Sequence, residues 1–476
     1  MIVSPESFTA KTPRRQDAKF TKFTKFTKFP AKPSSNLAFL ASWRFHFFQP
    51  PNPLMNLTRR QTLKSLAALA TIQIVPSRVL GLNGQIAPSN EITKAILGCG
   101  GISSSHLPMP GKLLALCDVD KGHLAERMKQ AGGEGKGIKG YHDFREVLQR
   151  EDIDVIHVAT PPHWHALMAI EAAKAGKDVW CEKPMSRTIG EGMAMVKAVE
   201  KYKRVFRLNT WFRFKDNFYG MGVPVKQIKK AAMNDVLGWP LKITVSGHTG
   251  FDWKLGIWVG KTNLPVQPVP EGFDYDFWLG PAPKKPYSAH RTHQSFRGYW
   301  DYDGGGLGDM GQHYLDPAQY ILGKDDTAPI SVEIDADPQD ADAIGTWRRI
   351  EFTYADGCKI ILDGANKDKD AAYIEGPKGK IYKGFKSDIP DLDKKLAALP
   401  DPEAQITDFH ESVRTRKKFA LNEQNGFWSC TMVNMGVTAH RLNKSLKFDP
   451  KTLKFDDPAA NALIDQPMRG PWKIEV

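Results

Sequence analysis

Thr93-Lys94-Ala95-Ile96-Leu97-Gly98-Cys99-Gly100-Gly101 is the stretch from which the fold can be read. An apolar run ends in a glycine-rich turn, the pattern of a buried strand feeding a tight bend. Glycines there let the backbone turn sharply and come close to a pyrophosphate at a helix start. Asp118 closes the next apolar run, 113–117, and lies twenty residues after Gly98. A carboxylate at that place accepts the ribose hydroxyls of NAD and repels the extra phosphate of NADP. Gly98, Gly100, Gly101 and Asp118 are therefore the expected cofactor-binding residues. Two local departures bear on the grip. Ser103 occupies the third glycine position, and Pro108 and Pro110 cut short the helix that should follow. Lys121 leaves NADP open as the cofactor, because it can pair with a 2′-phosphate.

Outward from this stretch, apolar runs at 93–97, 113–117, 154–159 and 178–181 alternate with helical spacing at 122–130, 144–150 and 165–175. Strand-helix alternation predicts a parallel sheet with right-handed crossovers, an α/β Rossmann domain over 91–212. After Trp211 the texture changes. Segments 241–246, 330–334, 348–354 and 359–363 read as strands joined by turns rich in Gly, Asp and Pro, with helices at 404–416 and 427–441. This predicts a second, α+β domain over 213–476 with a large, mostly antiparallel open sheet.

The net charge of +13 suggests nucleic acid until its position is read. Residues 1–90 hold 13 Lys/Arg against only Glu6 and Asp17, which leaves +2 for the rest of the chain. A nucleic-acid partner is not expected. The chain has no run of 18 apolar residues, so no ordinary membrane span is expected. The five cysteines, Cys99, Cys117, Cys181, Cys358 and Cys430, are widely spaced with no CxxC pair, which argues for packing rather than a disulfide scaffold or zinc site. Residues 1–54, with the repeat KFTKFTKFTKF and a proline-rich tail, fit no helix or strand period and are expected to be disordered, with the true start at Met55. From Met55, the run MNLTRRQTLKSLAALATIQIV carries Arg59-Arg60 ahead of a weakly apolar stretch, which resembles a twin-arginine export signal over 55–90. A location in the periplasm or cell envelope follows as an expectation.

Two segments fall at the ends of later strands, where ligands bind in an open α/β sheet. One is Thr160-Pro161-Pro162-His163-Trp164-His165; the other is Glu182-Lys183-Pro184. A further stretch, Asp301-Tyr302-Asp303-Gly304-Gly305-Gly306-Leu307-Gly308-Asp309-Met310-Gly311-Gln312-His313, places Asp309 and His313 four residues apart, on one face of a helix. A carboxylate beside an imidazole can orient it and raise its basicity. As a metal pair the two lack a third ligand, since His248, His290 and His293 are distant in sequence, and no metal is expected.

Taken together, the glycine turn, Asp118, Thr160-Pro161, His165, Glu182-Lys183-Pro184 and Asp309…His313 resemble the Gfo/Idh/MocA oxidoreductases over residues 92–476. The segment Trp278-Leu279-Gly280-Pro281-Ala282-Pro283 and the ending Arg469-Gly470-Pro471-Trp472 resemble that family's exported bacterial branch. The resemblance implies a cofactor between the two domains, with Thr160, Pro161, His165, Glu182 and Lys183 joining its binding residues. It implies that Lys183 hydrogen-bonds the reacting hydroxyl and that His313, oriented by Asp309, removes the proton. Trp164, Trp211, Arg213 and Tyr302 are then candidates either for a sugar wall or for simple packing. The implied activity is NAD(P)-dependent hydride transfer on a sugar, glycoside or polyol hydroxyl in a homo-oligomeric assembly, and the export signal adds the expectation of a tightly held cofactor, since little NAD is available outside the cytoplasm. A redox-neutral glycosidase on the same scaffold is the alternative, and a non-catalytic sugar sensor is a third reading, which retention of Lys183, Asp309 and His313 disfavours.

Overall fold

The computed structural model describes residues 91–210 and 212–476, so the expected early start, the export signal and Trp211 lie outside the described residues. The first strand, β1 (Thr93–Leu97), is followed by a single turn of helix, α1 (Ser103–His106), and then β2 (Lys112–Cys117). The chain continues through α2 (Lys121–Ala131), β3 (Lys139–Tyr141), α3 (Phe144–Leu148), β4 (Val155–Val158), α4 (His165–Lys174), β5 (Asp178–Glu182), α5 (Ile189–Lys201) and β6 (Phe206–Asn209). These six strands form one parallel sheet in the order β3-β2-β1-β4-β5-β6. Every residue of β4 and β5 is buried, as expected of strands covered on both faces by helices.

Strand order reverses beside β1, so a crevice opens beyond the carboxyl ends of β1 and β4. Gly98 sits at that point with φ +90°, and a Cβ there would lie 2.7 Å from the Ala159 carbonyl oxygen. Only glycine fits both the left-handed backbone and the close approach to the chain leaving β4. Helix α2 starts cleanly because the Asp120 side chain accepts from the backbone N–H groups of Gly122 and His123.

The remainder builds an eight-stranded sheet. Its strands are β7 (Lys242–Ser246), β8 (Ser331–Ala336), β9 (Trp347–Thr353), β10 (Lys359–Asp363), β11 (Ile374–Gly376), β12 (Gly379–Ile381), β13 (Leu446–Asp449) and β14 (Lys454–Phe455). The order is β12-β11-β7-β10-β9-β8-β13-β14, and every pairing but β7 with β10 is antiparallel. The short helix α6 (Tyr275–Leu279) precedes the long α7 (Gly305–Leu322), which packs against α8 (Glu423–Leu442). Glycines at the start of α7 allow close packing: a Cβ on Gly308 would fall 2.0 Å from Asp303 Oδ1. The expected Rossmann domain and mostly antiparallel second sheet are both present. All five cysteines are buried and unbridged. Among the described residues no helix is long and apolar enough to cross a membrane.

Candidate active site

The glycine turn borders a cleft of about 570 Å³ lined by Gly98, Gly100, Gly101, Asp118, Thr160 and Pro161 among others. The shortened helix predicted from Pro108 and Pro110 is α1, only four residues long. Its loose end is gathered by the buried Lys94, whose Nζ donates to the carbonyls of His106 and Leu107 at 2.8 and 3.2 Å and to that of Met109. Burial lowers the Lys94 ammonium to about 8. Arg127 Nη2 donates to the carbonyls of Cys99 and Gly100 at 3.2 and 2.9 Å. In a planar trans peptide the next N–H points the opposite way from the carbonyl. The N–H groups of Gly100 and Gly101 are thus turned away from Arg127, and among the described residues no protein acceptor takes them. A Cβ at either glycine would meet nothing within 4 Å. Two unpaired amide donors on an open wall suit a pyrophosphate, without the long helix of the usual arrangement.

Asp118 lies at the end of β2 on the same cleft, where burial raises its carboxyl above the ordinary value. Its Oδ2 accepts from Cys99 N at 2.6 Å and its Oδ1 from Asp120 N at 2.8 Å. Each oxygen keeps a second lone pair for a ribose hydroxyl. The donor and acceptor set fits NAD. Lys121 is not among the lining residues, so the NADP pairing it left open finds no support in the cleft.

A smaller chamber of about 300 Å³ adjoins the cleft and shares Ile102, Thr160, Lys254, Phe296, Arg297 and Asp309 with it. Lys183, Asp309 and His313 all line this chamber. The register of β5 with β6 and the Lys183-Pro184 turn, which is cis, deliver Lys183; α7 delivers the other two. Lys183 Nζ donates to Asp309 Oδ1 at 2.9 Å and to the Asp309 carbonyl. Arg297 Nε reaches the same Oδ1 at 3.1 Å, and Trp258 Nε1 donates to Oδ2 at 2.7 Å. Burial opposes ionisation of Asp309, but Lys183 and Arg297 outweigh it and hold the carboxyl well below the usual range. Burial and the Lys183 charge push the His313 imidazole well below its ordinary value. Burial pushes the Asp303 carboxyl, on the chamber wall, up to about 7.

The partner found for His313 Nδ1 is Thr210 Oγ1 at 2.8 Å, whereas both Asp309 oxygens are taken by Lys183, Arg297 and Trp258. Thr210 thus shares in holding the imidazole, beside the Asp309 charge to which the resemblance assigns its orientation. Glu182 lines the chamber with one oxygen already engaged, because Oε1 accepts from Asn209 Nδ2 at 2.5 Å and meets His106 Nε2 at 2.8 Å. His165 lines neither space: its two ring nitrogens lie 2.7 and 2.8 Å from the carbonyls of Pro184 and Thr160, tying the two strand-end turns together.

Of the candidates for a sugar wall, Arg213 and Tyr302 follow the packing alternative and Trp164 lies outside the chamber. Arg213 is buried in ion pairs with Asp316 and Asp325 at 2.6 and 2.7 Å, as a buried guanidinium must be to offset its desolvation. Tyr302 packs in an aromatic cluster with Trp278 and His163. Trp164 lines the larger cleft rather than the chamber and donates from Nε1 to the Trp278 carbonyl at 2.9 Å. The chamber is walled instead by Phe212, Tyr219, Lys254, Phe296, Arg297 and Met310. Lys254, Trp258, Phe296 and Arg297 come from the long irregular connection between β7 and α7, where no periodicity flags a residue.

Known proteins agree with this architecture. Residues 92–210 match the family described as "Oxidoreductase family, NAD-binding Rossmann fold", and residues 221–474 match its "C-terminal alpha/beta domain". The chain is 31% identical over 167 residues to a glycosyl hydrolase family 109 protein of Solibacter usitatus, covering 32% of this chain and 38% of that protein. It is 30% identical over 164 residues to D-apiose dehydrogenase of Paraburkholderia graminis, covering 33% and 40%. It is 30% identical over 211 residues to levoglucosan dehydrogenase of Pseudarthrobacter phenanthrenivorans, covering 43% and 44%. The matched part thus spans about two fifths of the length of these curated relatives. In fold, it resembles the WlbA dehydrogenase of Bordetella pertussis, solved with NADH and UDP-GlcNAcA, at a TM-score of 0.51 and 18% identity over 75% of this chain and 99% of that one. With both of its domains matched in order, the chain belongs to the Gfo/Idh/MocA oxidoreductase family.

Proposed function

We propose that this protein transfers hydride between a nicotinamide cofactor and a hydroxyl-bearing carbon of a sugar, glycoside or polyol. The observation that carries the reading is the Lys183–Asp309 pair beside a neutral His313 in a chamber that opens onto the glycine-turn cleft. NAD, when bound, supplies the hydride acceptor. Lys183, held by Asp309, donates a hydrogen bond to the reacting oxygen. In the neutral tautomer whose Nδ1–H donates to Thr210 Oγ1, the His313 lone pair resides on Nε2, the state a general base requires. As the carbon–hydrogen bond gives up its electron pair, His313 takes the hydroxyl proton and the carbon–oxygen bond becomes a carbonyl. Burial in the chamber excludes water and strengthens each of these contacts.

Glycosidase relatives stand beside dehydrogenases among the matches, and one chamber residue favours a second, redox-neutral reading. Asp303, raised to about 7, is a carboxyl able to give a proton to a departing glycosidic oxygen and take it back. Passage through a twin-arginine route, folded with NAD inside, is part of the same proposal, as are a retained cofactor and a homo-oligomer. The test is to purify the full chain without added cofactor and record reduced-nicotinamide absorbance while adding a panel of sugars and glycosides. A band that rises with one sugar supports hydride transfer. Release of a chromogenic aglycone with no net rise supports the redox-neutral route. Absence of both with bound NAD present sinks the proposal.

A further inference from the structure

We propose that Asp120, His123 and His293 form a binding site for a divalent transition-metal ion, zinc by ligand chemistry, which clips two separate segments of the chain together on the wall of the cofactor cleft. One ligand atom from each residue can be chosen so that all three lie within 4.8 Å of one another. His293 Nε2 stands 3.5 Å from Asp120 Oδ2. Two ligands on a tetrahedral ion with bonds of about 2.0–2.1 Å are separated by roughly 3.4 Å, so this edge is already at the required spacing. The imidazoles of His123 and His293 meet edge to face with ring centres 4.5 Å apart, which keeps the third ligand atom within the same 4.8 Å.

The division of labour at Asp120 is what makes the site available. Its Oδ1 caps α2 by accepting from Gly122 N and His123 N at 2.8 and 3.2 Å, which fixes the carboxylate and leaves Oδ2 facing His293. Among the described residues neither imidazole is hydrogen-bonded to another part of the protein through its ring nitrogens. His293 is held in left-handed backbone, φ 53°, a conformation that an L-residue adopts at a cost and that the fold maintains here. Its ring packs on Phe273 at 5.3 Å, and Phe273 forms an isolated backbone bridge with Asp120. Lys121 N donates to Gly272 O and Asp274 N to Val119 O, both at 3.0 Å. The segment after β2 and the 272–293 region are thus already joined by backbone before an ion adds a covalent-like clip. Two imidazoles and one carboxylate suit zinc and leave a position for water.

The site is independent of the hydride-transfer reading, and the two fail separately. The measurement is equilibrium uptake of zinc by the full chain, freed of any affinity tag and stripped with a chelator, with no sugar or NAD present. One zinc per chain is expected, together with a rise of several degrees in unfolding temperature. His123→Ala and His293→Ala should each weaken uptake by about 100-fold or more, since even residues behind the ligands cost 10- to 100-fold in metal sites. Asp120→Asn keeps the capping oxygen while removing the charge, so it should fold and still lose most of the affinity. Absence of stoichiometric uptake, or equal uptake by wild type and all three variants, overturns the proposal. In that case the two histidines are left to serve the cofactor directly.

Discussion

Replacing Lys183 by Met separates chemistry from structure at this site. The Lys183–Asp309 contact at 2.9 Å carries a gross attraction of about 6 kcal/mol at an effective dielectric of roughly 20. Most of that is already spent on removing both groups from water. Asp309 also keeps Arg297 at 3.1 Å and Trp258 at 2.7 Å after the substitution, so the carboxylate is not orphaned. The stability loss should therefore be about 1–2 kcal/mol, below the ~3–5 kcal/mol of a fully uncompensated buried charge. On the proposed mechanism the chemical step loses the Lys183 donor to the reacting oxygen, and removal of such a preorganised donor costs about 10²–10³ in rate, or ~3–4 kcal/mol. Lys183 lines the smaller chamber but not the larger cleft, so NAD affinity should change by less than about threefold. The assay is single-turnover nicotinamide reduction with the sugar identified by the panel, alongside NAD titration by fluorescence. A variant that turns over within about fivefold of wild type, or one whose NAD affinity falls as far as its rate, refutes the assigned role.

Gly98→Ala should abolish measurable NAD binding while leaving a folded chain of reduced stability, because its Cβ would press to 2.7 Å on the Ala159 carbonyl at φ +90°; NAD titration and circular dichroism decide it. Stability should fall on acidification from pH 7 to pH 5. Burial holds His157, His163, His165 and His313 below the ordinary value of 6.5, so the unfolded chain gains protons there that the folded chain refuses. Their contribution is complete above pH 6.5 and is lost below it, by up to ~1.4 kcal/mol per pH unit each. Asp303 works in the opposite sense, since burial raises it from 3.8 to about 7 and the folded chain keeps a proton that the unfolded chain has released. Asp303→Asn should therefore steepen the acid loss, and urea unfolding at pH 5, 6 and 7 that shows a flat or shallower profile contradicts the assignment.

Some parts of this protein were determined by sequence alone. Thr93–Leu97 and 359–363 were legible as strands to the residue, because a short apolar run bounded by polar and turn residues is the pattern of a buried strand. The glycine turn, Asp118 and the short α1 followed from local backbone rules that need no tertiary partner. Lys183, Asp309 and His313 were marked by motif and do meet in one chamber. What tertiary structure alone decided is which side chains those groups face. Arg213 carries the same chemistry as Arg297, yet Asp316 and Asp325 draw it into the interior while Arg297 faces Asp309 in the chamber. Thr210, just beyond β6, meets the His313 ring because the end of β6 and α7 come together across 103 residues of chain. His293 reaches Asp120 from a loop with no period of its own. Period and turn chemistry are local properties that a sequence carries in itself; the partner of a buried charge is set by where the intervening chain can bury it, and that is fixed only when the whole fold closes.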